Sequence, residues 1–326
     1  MRGTKQSQRT SKHQSYSRLP RCARNDIFIS MLSIKTSDLS IPELHAYLQY
    51  AIAPRPICFA STVDKDGNVN LSPFSFFNLF SSNPPVCVFS PSRRVRDNTT
   101  KHTLENIHEV PECVINIVNY AMVQQTSLAS VEYPKGINEF IKSGFTPLAS
   151  ELVRPPRVAE APVQLECVVN EVKPLGNGPG AGNLIIAEIK LIHINEAILD
   201  ADGKIDQEKI DLVARLGGDW YCRVTKDNLF KVAKPVRSIG IGVDALPYAI
   251  RNSKVLTGNN LGQLGNVEVL PTDEETEHYA QSPELKDLLD ATIGDSQTRE
   301  LQLHLKAKQL LDDGKVEEAW KVLLIS

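Results

Sequence analysis

The chain has 326 residues, 41% of them hydrophobic, and a net charge of −3. That length allows one large domain or two smaller ones, with a substantial core. The charge excludes the global basic excess that carries nucleic-acid binding, and no apolar run reaches the ~18 residues of a transmembrane helix, so neither nucleic acid nor a membrane is expected as a partner.

Residues 1–30 differ from the rest. "MRGTKQSQRTSKHQSYSRLPRCARND" holds seven Lys or Arg, a single acid and many serines. Such a segment cannot build a core. Transit peptides share its composition, but the plainer expectation is a disordered basic extension ahead of a domain that opens at Met31. Ser40 then caps a helix predicted from Pro42 to about Leu48, with Glu43 close behind. "ICFASTVDKDGNVNLSPF" reads as a hairpin: strand Ile57–Val63, a turn over Asp64–Gly67 and a return strand Val69–Ser72. The return strand alternates Val69 and Leu71 with Asn70 and Ser72, then stops behaving like a strand. Pro73 cannot donate to a ladder, and Phe76-Phe77 would put rings on both faces, so a break is expected over Pro73–Asn78.

"PPVCVFS" is a short apolar run suited to a buried strand. A helix is predicted over Lys101–Glu109, a strand over Cys113–Val118, and helical patterns over Met122–Ala129 and Ile137–Ser143, the last stopped by Gly144. "APVQLECVVNEVKPL" and "NLIIAEIKLIHINEAIL" are long alternating strands with "GNGPGAGN" between them. "DADGK" is a turn, followed by a short helix expected at Gln207–Val213. From Asp273 onward the pattern is helical, with Ser282-Pro283-Glu284 opening one helix and two more broken near Gly314. Strands outnumber helices in the middle of the chain and do not alternate with them. That favours a barrel or sandwich over a doubly wound sheet. The six cysteines form no CxxC pair, and most sit in apolar runs, as expected of buried free thiols in a reducing compartment.

Four stretches could carry chemistry. The break at Ser72–Asn78 offers hydroxyls, backbone amides and flat rings together, which suits a planar ligand with polar edges. A bulge with core phenylalanines would look the same. "SPSRRVRDNTTKHTLENI" (Ser90–Ile107) places arginines, hydroxyls, Lys101 and His102 at a helix start, a plausible cradle for a phosphate monoester. An ordinary capped helix beside a solvated basic loop is the plainer alternative. "GNGPGAG" (Gly176–Gly182) is followed by a strand, not a helix, so it is a hairpin loop with the freedom to act as a lid rather than a dinucleotide fingerprint. "ARLGGDWYCR" (Ala214–Arg223) could admit a ligand or be a strand-edge turn. The seven histidines make no metal pattern. There is no GxSxG elbow, no P-loop and no carboxylate pair, so no catalytic side chain and no metal site are expected.

The run "APRPICFASTVDKDGNVNLSPFSFFNLFSSNPPVCVFSPS", then "KHTLENI", "SGFTPL", "PPRVAEAPVQLEC" and "ARLGGDWY", in that order, resembles the flavin reductase-like family. The resemblance covers about Leu32–Arg223. It implies a mainly β fold, a six-stranded Greek-key FMN-binding split barrel over 31–223. A subgroup extension over 224–272, expected to pack on the barrel, and a C-terminal helical segment over 273–326 would follow. It also implies a cytoplasmic homodimer with FMN near the subunit interface. Ser72, Pro73, Phe74, Ser75, Phe76 and Asn78 would line the isoalloxazine ring. Ser90, Lys101 and Thr103 would hold the phosphate, with Arg93 assisting. Many relatives carry Lys-Asp-Thr where this chain has Lys101-His102-Thr103; His102 would cap the helix less well than aspartate but would add a donor to the phosphate.

The activity implied is an NAD(P)H-dependent flavin reductase, with NAD(P)H as co-substrate delivering hydride to flavin N5. Reduced flavin would pass to a monooxygenase or another acceptor. The alternatives are an FMN-bound electron carrier reduced by a protein donor, or a barrel that holds a different ligand or none.

Overall fold

In the computed structural model, which describes residues 31–235 and 239–325, the first helix begins where the sequence places its cap. Helix α1 (Ile41–Ala51) starts at Ser40, and Ser40 and Glu43 form a capping box with proline in the first turn. The expected basic extension over 1–30 lies outside the described residues. Strands β1 (Cys58–Val63) and β2 (Val69–Phe74) form the expected hairpin, with Val63 opposite Val69 and Cys58 opposite Phe74.

The break falls later than the sequence suggests. Pro73 stays in β2, opposite Phe59. It can do so because β2 is an edge strand, where a missing donor is tolerated. Only Ser75 and Phe76 separate β2 from β3 (Phe77–Ser82), which pairs with β4 (Pro85–Phe89). The helix α2 (His102–Glu109), strand β5 (Glu112–Ile117) and helices α3 (Val123–Leu128) and α4 (Glu139–Ser143) follow. A two-strand ribbon, β6 (Pro147–Leu148) with β7 (Arg157–Val158), precedes the long hairpin of β8 (Val163–Pro174) and β9 (Asn183–Ile194).

The main sheet is antiparallel in the order β2-β1-β5-β8-β9-β4-β3. It has seven strands rather than the expected six, because the segment after the break forms a strand of its own. Its outermost strands, β2 and β3, are consecutive in sequence. A flat seven-strand sheet would hold its edges roughly 29 Å apart, yet the two-residue link reaches only about 11 Å. The sheet must therefore curl until its edges meet. Since β2 and β3 do not pair, the result is a barrel with a slit, and Ser75-Phe76 bridges the slit.

The interior is filled from opposite strands by Cys58, Ala60, Phe74, Cys87, Phe89, Cys113 and Cys167, and closed by Leu104 and Ile107 of α2. These four cysteines are buried free thiols, as expected, and burial pushes the Cys58 thiol well up. A second cluster lies outside, where Phe59 and Leu71 meet Met122, Phe140 and Phe145. The expected helix at Gln207–Val213 is absent. Asp206 accepts the N–H groups of Glu208 and Lys209 in a turn, and Asp211 has φ +52, which stops helical propagation. The chain instead forms β10 (Val213–Arg215) paired with β11 (Tyr221–Arg223).

The described residues divide into two units, Ser33–Phe230, which contains the barrel, and 231–235 and 239–325 together with 31–32. The second contains α5 (Tyr248–Arg251), α6 (Gly258–Gly265), α7 (Asp273–Ala280), α8 (Pro283–Ala291), α9 (Ser296–Asp312) and α10 (Val316–Leu323). Gly314, at φ +77, separates the last two as the sequence predicts. The sequence reading separates 224–272 from 273–326, but Leu246, Leu256, Leu261 and Leu264 share one core with Leu285, Leu303, Leu311 and Trp320. Among the described residues no helix is long and apolar enough to cross a membrane.

Candidate functional site

The link across the slit carries the site. At Ser75-Phe76 the backbone leaves one sheet edge for the other, so its flanking side chains face open space rather than a neighbouring strand. A groove of about 190 Å³ runs along it, lined by Ser72, Pro73, Phe74, Ser75, Phe76, Ser90 and Lys101. Seven of the eleven residues expected from sequence thus meet in one place. Arg93 lines an adjoining recess, and His102 and Thr103 another, each shared with Lys101. Asn78 is exposed on β3, its side-chain oxygen accepting the Leu79 N–H, and does not line the groove.

The groove's two ends differ. Phe76 is 40% exposed, with the His45 ring edge-on at 6.1 Å, while its carbonyl accepts the N–H of Ser90. Phe74 instead turns into the barrel, 8% exposed, with its ring 5.6 Å from that of Phe89. Phe74 supports the link from the core, and Phe76 offers the open apolar surface. Ser90 is buried, and among the described residues its hydroxyl oxygen has no hydrogen-bond partner. A Cβ at Gly182 would lie 2.7 Å from that oxygen, so only glycine lets the β8–β9 hairpin loop close over Ser90. The loop is tied to the arginine segment: Arg93 N–H donates to Ala181 O, and Gly180 N–H donates to Arg93 O.

The basic segment is organised around one acid. Glu132 accepts from Arg94 (2.9 Å), Arg96 (3.0 Å) and Lys101 (3.3 Å). Partial burial pushes the Glu132 carboxyl up, but its hydrogen bonds from Arg94 and Lys101 outweigh this and hold it below its usual range. Arg93 is bound to the side chain and carbonyl of Asn98, and Thr103 accepts from Asn70 at 2.8 Å. Helix α2 starts without a side-chain cap, which leaves its first N–H groups for water or a ligand. Burial pushes the His102 pKa down, with Glu105 opposing. Glu139, buried nearby, is pushed up by burial although it accepts the Leu71 N–H.

Sequence reading missed Arg55. It is 6% exposed and donates to Ser75 Oγ (3.4 Å), Gln49 O and Ile52 O (both 2.6 Å) and Leu216 O (2.8 Å). The bonds clamp the end of α1 and the "RLGG" turn onto the link. The same contact explains the paired glycines: a Cβ at Gly217 would meet the Tyr50 ring at 2.4 Å. His45 and Gln49 of α1, Ser92 and Ser130 also line the groove; the sequence reading named none of them as site residues, since three distant segments meet there. Beyond Ser75 a larger cavity of about 640 Å³ opens, bounded by α3 and the β10–β11 hairpin. Among the described residues no cluster of His, Cys, Asp or Glu is placed to hold a metal ion.

Comparisons with known proteins agree with this architecture. The flavin reductase-like domain model matches residues 50–209. An uncharacterized protein of Aquifex aeolicus is 37% identical over 181 residues, covering 56% of this chain and 90% of that protein. The solved structure of nitrilotriacetate monooxygenase component B from Bacillus cereus is 29% identical, with a TM-score of 0.58, covering 62% of this chain and 99% of that one. A Shewanella frigidimarina structure named for its split barrel domain is 27% identical, with a TM-score of 0.52, covering 61% of this chain and 95% of that one. With the slit barrel, the groove across it and these likenesses together, the chain belongs to the flavin reductase-like domain family, as a split-barrel flavoprotein of the oxidoreductase class.

Proposed function

We propose that the barrel unit binds FMN in the slit groove and draws reducing equivalents from NAD(P)H. The observation that carries this is the Ser90 hydroxyl, buried and without a partner, in a groove that also holds Ser72, Ser75, Lys101 and the open ring of Phe76. A buried, unpaired hydroxyl costs about 1–3 kcal/mol, and a ligand oxygen would remove that cost. The residues therefore fit the cofactor. Phe76 and the Ser75-Phe76 backbone would contact the ring, with Ser72, Pro73 and Phe74 beneath. Ser90, Lys101 and the uncapped start of α2 would receive the phosphate. Arg93 and Thr103, held by Asn98 and Asn70, would shape the loop and helix start around it, with His102 at their margin.

When bound, FMN supplies the redox chemistry. The chain's own task is to bind, orient and shield, which agrees with the absence of a catalytic acid–base pair from the sequence motifs. The two guanidiniums beyond Ser75, Arg55 and Arg215, carry charge of the sign that favours an electron-rich ring. The likeness to a monooxygenase component B supports a monooxygenase as the eventual acceptor.

A homodimer is part of the reading. Helix α1 has no buried residue and exposes Ile41, Tyr47 and Leu48, while edge strand β3 exposes Leu79 and Phe80. Apolar surface of this extent marks an interface. Light scattering on the eluting protein should give twice the 36.1 kDa chain mass. The test of function is an absorption spectrum from about 300 to 700 nm of FMN-loaded protein, before and after anaerobic NADH or NADPH, since cofactor bands report the redox state directly. Bleaching by either supports the reading. Bands that persist with both would replace NAD(P)H by a protein donor, and no uptake of FMN would sink the cofactor assignment.

A further inference from the structure

The 640 Å³ cavity beyond Ser75 has its own chemistry. Its floor is apolar, from Ile57 and Val213, and its walls carry Tyr120 and Tyr221. Arg215 also lines it, half-buried, with its guanidinium carbon 4.6 Å from the Tyr221 ring centre. Among the described residues that guanidinium has no hydrogen-bond acceptor and no carboxylate within ion-pair distance. The neighbouring charges are all committed or too far. Arg223, over Tyr120 at 3.7 Å, is held by both oxygens of Asp211 at 2.7 and 2.9 Å. Arg55 spends its donors on Ser75 and three carbonyls. Asp219 lines the cavity but forms no ion pair with Arg215.

A half-buried guanidinium with no acceptor presents a planar fork that a carboxylate satisfies with two parallel bonds. Flanking tyrosine rings and an aliphatic floor suit a flat apolar body. We propose that this cavity is a binding site for a small planar aromatic carboxylate, its carboxylate on Arg215 and its ring between Tyr120 and Tyr221, facing Ser75. One uncommitted cation, with Asp219 nearby, matches a single negative charge better than the two phosphates of a dinucleotide. That this ligand is the molecule with which the bound flavin reacts rests on the flavoprotein reading; the binding itself does not.

The test is calorimetric titration of the full-length protein, with and without FMN, using sodium benzoate, benzamide, inorganic phosphate and NADH as probes. Benzoate should bind, and neutral benzamide should bind roughly tenfold or more weaker. Arg215→Ala should lose benzoate by a similar factor. Arg215→Lys keeps the charge but not the fork, and should fall between. It also serves if the alanine variant fails to fold, which circular dichroism would show. The proposal is overturned if benzoate does not bind at millimolar concentration, if benzamide matches it, or if Arg215 variants bind it unchanged. It is equally overturned if phosphate or NADH displaces benzoate in an Arg215-dependent way, which would make this the dinucleotide's site. Arg215-dependent benzoate binding without FMN uptake would sink the flavoprotein reading alone.

Discussion

In the helical unit the buried hydroxyl of Ser253 accepts the N–H groups of Val255 and Leu256 and bonds His304 Nδ1 at 2.8 Å. In the barrel unit the buried hydroxyl of Ser90 has no partner among the described residues. The contrast extends further. Trp320 is wholly buried and gives its indole N–H to Leu264 O, and Asn260 is consumed by its own helix cap and Asp312. Among the described residues of the barrel unit, Ser61, Ser90 and Asn119 leave buried oxygens unpaired; Arg299 Nε is the one such orphan in the helical unit. Since most buried polar groups in native structures are paired, each unpaired one calls for an explanation, and Ser90 lines a groove open to a ligand. On the proposed reading, FMN would complete Ser90 in the barrel, while Ser253, Asn260 and Trp320 are completed within the helical unit itself.

The largest effect should come from breaking the helical unit. Trp320→Ala should cost about 3–5 kcal/mol of the helical unit's stability, the usual range for a large buried aromatic, read by denaturant unfolding followed with circular dichroism. FMN uptake by the barrel should persist; its loss would mean that the two units are not independent in function.

In the barrel unit, Lys101→Ala should weaken FMN binding by about 1.5–3 kcal/mol, one charge-assisted hydrogen bond. Riboflavin, which lacks the phosphate, should bind as before. Equal loss for both ligands would show that Lys101 supports the groove rather than the phosphate.

A smaller effect of opposite sign is expected at Glu132. Its carboxylate draws Lys101, Arg94 and Arg96 together, so a phosphate must compete with it. Glu132→Gln should raise FMN affinity by about 0.2–1 kcal/mol, the worth of a largely exposed ion pair. The gain should shrink in high salt. An affinity that falls instead would mean that Glu132 organises the cations for the ligand.

The smallest effect is a pH dependence of the helical unit. Burial lowers the His304 pKa below its ordinary 6.5, with Glu300 opposing. The unfolded chain therefore takes the proton more readily than the folded one. Stability is full above about 6.5 and declines as pH falls below it. The denaturation midpoint should drop between pH 7.5 and 5.5, and His304→Gln should flatten that drop. A wild-type midpoint that holds or rises on acidification would show that His304 is not buried neutral.

Much of this was written in local sequence. The Ser40–Glu43 capping box, the turn closed by Gly67, the stop at Gly144 and the break at Gly314 each depend on residues within one or two turns of chain. The alternation in the long β8–β9 hairpin marked its strands without reference to anything distant. The ordered blocks from "APRP" to "LGGDWY" were enough to recognise the family, and the break near Phe74 is where the groove opens.

What sequence alone could not decide is where distant segments meet. That Pro73 stays in its strand follows from β2 being an edge, a property of the whole sheet. The seventh strand and the curl follow from a two-residue link joining opposite edges. Arg55 became a clamp, and Gly217 a necessity, only when α1 came against the β10–β11 hairpin. The helix expected at 207–213 failed because one aspartate took the turn's N–H groups and another adopted positive φ. Asn78, placed at the ring by the family resemblance, lies exposed on β3 and outside the groove lining. Local patterns fix elements because their causes lie within a few residues; a site is fixed by contacts between segments up to 161 positions apart, as from Arg55 to Leu216, and only the closed sheet brings those together.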